Sequence, residues 1–234
     1  MKKYCAFDIE IAKDMKDGME DWRSQRPLGI TCASTLTTDG KLDLWYGKDQ
    51  EGKPDDRMSQ ADASTLLTYL ESMVQLGYSI LSWNGLGFDF DILAEESGQK
   101  ATCRDLAQGH VDMMFHIFCL RGHTLSLDKS ARGMGVPGKT AGMSGALAPQ
   151  YWAEGRREEV LQYVAQDTRT TLGVALAVED QKMLKWFSNS GSIVRQPFPK
   201  GWLTVKEAIN LPQPAVWGMK NPMTRENFTA WTLD

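Results

Sequence analysis

Apolar and polar residues alternate through residues 3–12, and two more β-prone runs follow at 30–37 and 41–47. Thr38-Asp39-Gly40 between the last two carries the Asp-Gly pair that suits a hairpin turn. After Ser59 the period changes. Leu66, Leu67, Leu70, Met73 and Val74 recur at helical spacing, predicting a helix over 60–76 that Gly77 stops. A strand is expected at 78–83, after which Asn84-Gly85-Leu86-Gly87 turns the chain into a helix over about 88–96, closed by Gly98. The apolar run His110–Cys119 suits a strand or a short helix, and its first half reads better as a strand. A helix at about 125–133, a Gly/Pro/Ser-rich stretch at 133–149 and a long helix over about 155–187 complete the pattern. Three strands followed by alternating helices and strands predict an α/β fold with a mixed sheet.

Two segments fall outside this rhythm. Residues 13–29 form a long, charged, glycine-containing connection with Trp22 and Pro27, a length that in a compact domain often serves function. Residues 188–234 hold five of the nine prolines and three of the eight tryptophans, which separates them from a main domain over 1–187. That extension could pack across the domain or act as an arm for a protein partner. Packing is favoured, because Trp202, Trp217, Phe228 and Trp231 are costly to leave in water.

Composition narrows the function classes. A net charge of −4 argues against holding nucleic acid by bulk electrostatics, while leaving room for an acidic pocket neutralised by metal. Cys5, Cys32, Cys103 and Cys119 form no CxxC pair and read as buried, reduced thiols. No signal-like apolar core and no run of about 18 apolar residues is present, so a cytoplasmic protein without a membrane span is expected.

The candidate chemistry lies in carboxylates at element ends. Asp8 and Glu10, two apart on a strand, project from one face and could bridge a cation; an amphipathic strand with a solvated face would look the same. Asp89 stands where a strand gives way to a helix, a position that equally suits a cap, with Asp91 an alternative carboxylate. Tyr163 and Asp167, four apart in a helical window, share a face, as an ordinary packed tyrosine beside a surface acid would. Taken together they suit phosphodiester hydrolysis. That reaction needs a nucleophile near neutral pH and charge stabilisation, which two ions about 3.5–4 Å apart provide, and hard Mg²⁺ or Mn²⁺ prefers oxygen ligands.

Phe7-Asp8-Ile9-Glu10, Asn84-Gly85-Leu86-Gly87-Phe88-Asp89 and Tyr163-Val164-Ala165-Gln166-Asp167 resemble, in order, the three exonuclease motifs of the DEDD superfamily. The tyrosine matches the DEDDy branch; the histidine branch would carry His where this chain has Gln162. The likeness covers about residues 3–180 and is greatest to stand-alone proteins related to the family B DNA polymerase exonuclease domain. It includes Leu125-Ser126-Leu127-Asp128 through Gly138-Lys139. The resemblance implies a ribonuclease H-like fold and 3′→5′ exonuclease activity with two divalent cations, Mg²⁺ or Mn²⁺. It further implies metal ligation by Asp8, Glu10, Asp89 and Asp167, and a water-positioning role for Tyr163. Single-stranded DNA 3′ ends are the first expected substrate, with RNA close behind.

Asn84, Trp83, Phe88 and Lys139 are candidate substrate contacts. Turn stabilisation suits Asn84 as well, core packing suits Trp83 and Phe88, and solvation suits Lys139. Asp112 reads as a structural carboxylate. His110, His116 and His123 lack the spacing and cysteine companions of a zinc site, and the glycines over 133–145 match no nucleotide fingerprint. The rival class is a catalytically weak nucleic-acid-binding or assembly module on the same fold.

Overall fold

The structure, a computed structural model, describes residues 2–15, 22–138, 142–216 and 218–233. Among them the chain forms β1 (Tyr4–Ile11), β2 (Ile30–Thr37), β3 (Leu42–Tyr46), α1 (Gln60–Gln75), β4 (Ser79–Ser82) and α2 (Asp89–Ser97). Next come α3 (Lys100–Gly109), β5 (Val111–Asp112), α4 (Met113–Arg121), α5 (Leu127–Met134), α6 (Ala148–Ala153) and α7 (Arg157–Gln181). Last are β6 (Met183–Phe187), β7 (Ile193–Pro197), α8 (Val205–Ala208) and α9 (Glu226–Thr229). Five strands form a mixed sheet in the order β3-β2-β1-β4-β5. β2 runs antiparallel to β1 and β3, while β4 is parallel to β1 and β5. The α/β expectation with a mixed sheet therefore holds.

The two-residue period of β1 divides the molecule into layers. Cys5, Phe7, Ile9 and Ile11 point to one side, where Leu66, Leu67 and Leu70 of α1 and Phe90 and Leu93 of α2 cover them. Tyr4 and Ala6 point to the other side, against Leu172, Ala175 and Val178 of α7. Burying each of these large side chains contributes about 1.5–3 kcal/mol, so both faces of the central strand are fixed. Asp8 and Glu10 continue the α7 side. The face that is apolar at Tyr4 and Ala6 becomes acidic two residues later.

Three local expectations differ from the structure. The run after His110 is extended only at Val111–Asp112 and then becomes α4, because the Asp112 carboxylate caps that helix by accepting from Phe115 N–H. Helix α3, absent from the sequence reading, shows little apolar signal; its buried face holds the small Cys103 and Ala107. The long helix ends at Gln181 rather than 187, since Lys182 takes a left-handed conformation at φ 50° and Met183–Phe187 pair with Ile193–Pro197. The division expected at 187/188 thus falls within the β6–β7 hairpin. That hairpin lies tight on α5: a Cβ on Gly133 would stand 2.0 Å from Lys185 O.

Much of the extension over 209–227 is exposed, but its described aromatic side chains are packed. Trp202 and Phe228 are each 2% exposed and Trp231 8%, while Trp217 lies outside the described residues. Glu179 of α7 ties the layers together: it accepts from Tyr4 Oη at 2.7 Å, Lys182 Nζ at 2.9 Å and Trp202 N–H at 3.1 Å. Burial alone raises this carboxyl, but the hydrogen bonds outweigh it and hold the pKa down to about 2, against an ordinary 4.5. A carboxyl depressed in the folded state contributes stability that is full above the unfolded value and lost as pH falls through the folded one. Glu179→Gln should therefore lower the melting temperature at neutral pH. The gap from the wild type should close between about pH 4.5 and pH 2 in melts followed by circular dichroism.

Candidate active site

β4 pairs with β1 only as far as Ala6↔Leu81. Beyond that register the edge of β1 is open, and the Ile9 N–H is answered by Asp89 Oδ1 at 3.0 Å. Asp89 begins α2, whose N-cap position is Phe88 and makes no side-chain cap. The Asp89 carboxylate thus reaches across to the strand that carries Asp8 and Glu10. On the other face of β1, α7 is fixed to β2 by the hydrogen bond between Ser34 Oγ and Thr168 Oγ1 at 2.9 Å, which sets Asp167 beside the strand.

These elements enclose a cleft of about 200 Å³ lined by Asp8, Glu10, Asp89, Tyr163 and Asp167, together with Met15, Trp83, Asn84, Phe88 and Gly145. All five residues of the three motifs meet here. Asp8 is half-buried; Glu10, Asp89, Asp167 and Tyr163 are buried. Burial raises the Asp89 carboxyl from 3.8 to about 7, with the Ile9 N–H opposing the rise. The described lining residues offer four carboxylates and no histidine, cysteine, lysine or arginine, so the donor set fits hard, oxygen-seeking cations. Among the described residues no three His, Cys, Asp or Glu side chains are already drawn into one coordination sphere.

The turn carrying Asn84 is clamped from three directions. Asp112, buried at the end of β5, accepts Asn84 N–H at 3.0 Å and Phe115 N–H at 3.0 Å on Oδ1, and Leu86 N–H at 2.9 Å on Oδ2. Gly85 N–H donates to Ser82 Oγ at 3.0 Å, and Ser82 Oγ lies 2.9 Å from Nε2 of His110. His110 Nδ1 faces Ala107 O, an obligate acceptor, so Nδ1 carries the proton and Nε2 accepts from the serine. A Cβ at Gly85 would lie 2.3 Å from Ser82 Oγ, which excludes any side chain there. Asn84 itself adopts φ 75°, the left-handed region asparagine tolerates. From the extension, Trp231 Nε1 donates to Leu86 O at 2.7 Å.

Trp83 and Phe88 line the cleft and are also held by the fold. Trp83 Nε1 donates to Leu125 O at 3.1 Å, and Phe88 meets the Trp22 ring edge-on at 5.0 Å. Asp91 points elsewhere, paired with Arg23 at 2.8 Å and with Arg26. Lys139 lies outside the described residues. His110, His116 and His123 make separate contacts: His116 Nδ1 accepts from Leu203 N–H, and His123 Nδ1 faces Thr124 O. The sequence reading missed Met15, Gly145 and Trp231; no motif marks the first two, and Trp231 was read only as a packed aromatic.

A mixed α/β sheet thus carries an acidic cleft where its central strand meets two helices. The RNase_H superfamily model RNase_H_2 matches residues 44–178, more than half of the chain, and the chain belongs to that superfamily. The match begins after β1, so Asp8 and Glu10 stand outside it. A family B DNA polymerase from the hyperthermophilic archaeon Pyrobaculum calidifontis is similar in fold. It shares 20% identity over 76% of this chain and 25% of its own, with a TM-score of 0.55, so this chain matches about a quarter of the polymerase. No curated protein matches significantly. Among the described residues no helix is long and apolar enough to cross a membrane.

Replacing Trp231 by Phe should keep an aromatic ring in the core and leave the buried Leu86 carbonyl without its donor. Urea denaturation should show a loss of about 1–3 kcal/mol.

Proposed function

We infer that the protein is a divalent-metal-dependent 3′→5′ exonuclease of the DEDDy type, acting on single-stranded DNA ends and able to accept RNA. The observation that carries this reading is the meeting of Asp8, Glu10, Asp89, Tyr163 and Asp167, from three distant segments, around one cleft. Membership of the RNase_H superfamily and the fold likeness to a DNA polymerase agree with it.

Asp8 and Glu10 from β1, Asp89 from α2 and Asp167 from α7 would hold two cations, Mg²⁺ or Mn²⁺. Bound there, such ions would make water a better nucleophile near neutral pH and offset the negative charge that develops at the phosphate. Tyr163 lies one helical turn before Asp167, and its phenol orients the attacking water. Asn84, Trp83 and Phe88 border the cleft where the terminal nucleotide sits. Water oxygen bonds to phosphorus, the bond from phosphorus to the 3′ oxygen breaks, and that oxygen takes a proton. A nucleoside 5′-monophosphate leaves, and the shortened strand retains a 3′ hydroxyl.

Purified protein should shorten a 5′-labelled single-stranded oligonucleotide from its 3′ end in Mg²⁺ or Mn²⁺, and a chelator should stop it. Asp8→Ala should abolish turnover, whereas Tyr163→Phe should lower kcat by roughly 10²-fold with KM little changed, as expected when a reactant is only misoriented. Retained activity in Asp8→Ala would remove the carboxylate cage. Tight oligonucleotide binding without turnover in either metal would instead favour the binding or assembly module.

The metal itself has a separate readout. Mn²⁺ should raise the melting temperature of the wild type in proportion to the logarithm of its concentration. Asp89→Asn should respond less to the same titration.

A further inference from the structure

Next to the carboxylate cleft, on the far side of Trp83, lies a second cleft of about 340 Å³. A hydrogen bond links the two: Trp83 lines the first, and its indole N–H donates at 3.1 Å to Leu125 O, a residue lining the second. Arg121 at the end of α4, His123, and Lys129 of α5 form one side of it, and Trp186, Phe187 and Asn189 of the β6–β7 hairpin form the other. No carboxylate is among its described lining residues, and Asp128, beside Lys129 in sequence, does not line it. In a chain of net charge −4, a cleft with only basic and neutral walls stands apart.

Its basic groups are held in place. The Arg121 guanidinium lies 5.7 Å from the Trp186 ring centre, and Lys129 Nζ donates to Asn189 Oδ1 at 3.0 Å across the gap. Phe187, which also lines the cleft, is 39% exposed. The hairpin itself is fixed by the close approach of Gly133 to Lys185 O. Cations interleaved with an exposed aromatic ring are what a phosphodiester backbone with splayed bases requires.

We propose that this cleft is a track for single-stranded nucleic acid, holding the strand upstream of the 3′ end that enters the carboxylate cleft. Arg121, His123 and Lys129 contact phosphates, and Phe187 stacks on a base. The β6–β7 hairpin follows the residues matched to the RNase_H superfamily, so the track is partly built from this chain's own extension. The assignment of the bound strand's direction rests on the exonuclease reading above.

The test compares the full-length wild type with Arg121→Gln/Lys129→Gln and, separately, Phe187→Ala. Two substrates are used: a 5′-labelled oligothymidylate long enough to span both clefts, and the p-nitrophenyl ester of thymidine 5′-monophosphate, which fills only the carboxylate cleft. The oligonucleotide KM should rise about tenfold in each variant, with kcat and all hydrolysis of the ester unchanged. In the double variant the slope of log KM against log salt should also fall by about 1.4, the loss of two phosphate contacts to a single strand. An unchanged oligonucleotide KM, or an equal loss on both substrates, overturns the track.

Fluorescence anisotropy of the labelled oligothymidylate in chelator separates this proposal from the exonuclease reading. If the wild type hydrolyses neither substrate, that reading fails. Binding about tenfold weaker in the variants still supports the track, and equal binding overturns it. Equally effective competition by a blunt duplex of the same length overturns its single-strand character.

Discussion

Everything at the acidic cleft depends on one seam, the line along which the α7 side of β1 meets its covering helix. At the start of that seam Tyr4 and Ala6 pack against Leu172, Ala175 and Val178, and the contact behaves as an ordinary core. Further along, the same strand face presents Asp8 and Glu10, and the same helix presents Asp167 and Tyr163. Burying carboxylates near one another costs both desolvation and mutual repulsion. The apolar half of the seam, together with the Glu179 junction at its end, offsets that cost by holding strand and helix in place whatever the acids do. An acidic site needs such an anchor close by. Here the anchor shares the same two elements.

The second requirement is a turn whose shape is set by its backbone groups as well as by the burial of Leu86 in the core. Residues 84–88 are short, contain two glycines and carry a backbone angle at Asn84 that most residues avoid. Their conformation is set through polar backbone groups: N–H groups captured by Asp112 and Ser82, and a carbonyl captured by Trp231. Both the acceptor Asp112 and the relay through His110 are buried, so the bonds are not shared with bulk water.

The legible parts of this structure are those with a strong period. The first three strands and α1 lie within a residue or two of where alternation and leucine spacing put them. The motif residues were legible because each belongs to a well-patterned element: Asp8 and Glu10 to β1, Asp89 to the start of α2, Tyr163 and Asp167 to the interior of α7. Less legible were segments whose outcome depends on partners. The run after His110 is apolar all round, which fits strand or helix, and the Asp112 cap decides for α4. α3 packs through the small Cys103 and Ala107 on an otherwise mostly polar helix, which leaves few apolar residues to read. The end of α7 has no glycine or proline to announce it, and only pairing with β7 reveals β6 as a strand. Trp231 could be read as a packed aromatic, but nothing local in the sequence says its indole meets a carbonyl in the turn before Asp89.

That last contact has a temporal consequence. Leu86 and Trp231 are 145 positions apart in the chain, and Tyr4 and Glu179 are 175 apart. Contacts of such long range form late, because loop closure must precede them. A chain emerging from the ribosome holds all five motif residues well before residue 231 exists, so its turn at 84–88 is completed last. Proteolytic clipping near Arg225 would return a mature molecule to that earlier condition, with its motif residues intact and the turn no longer braced.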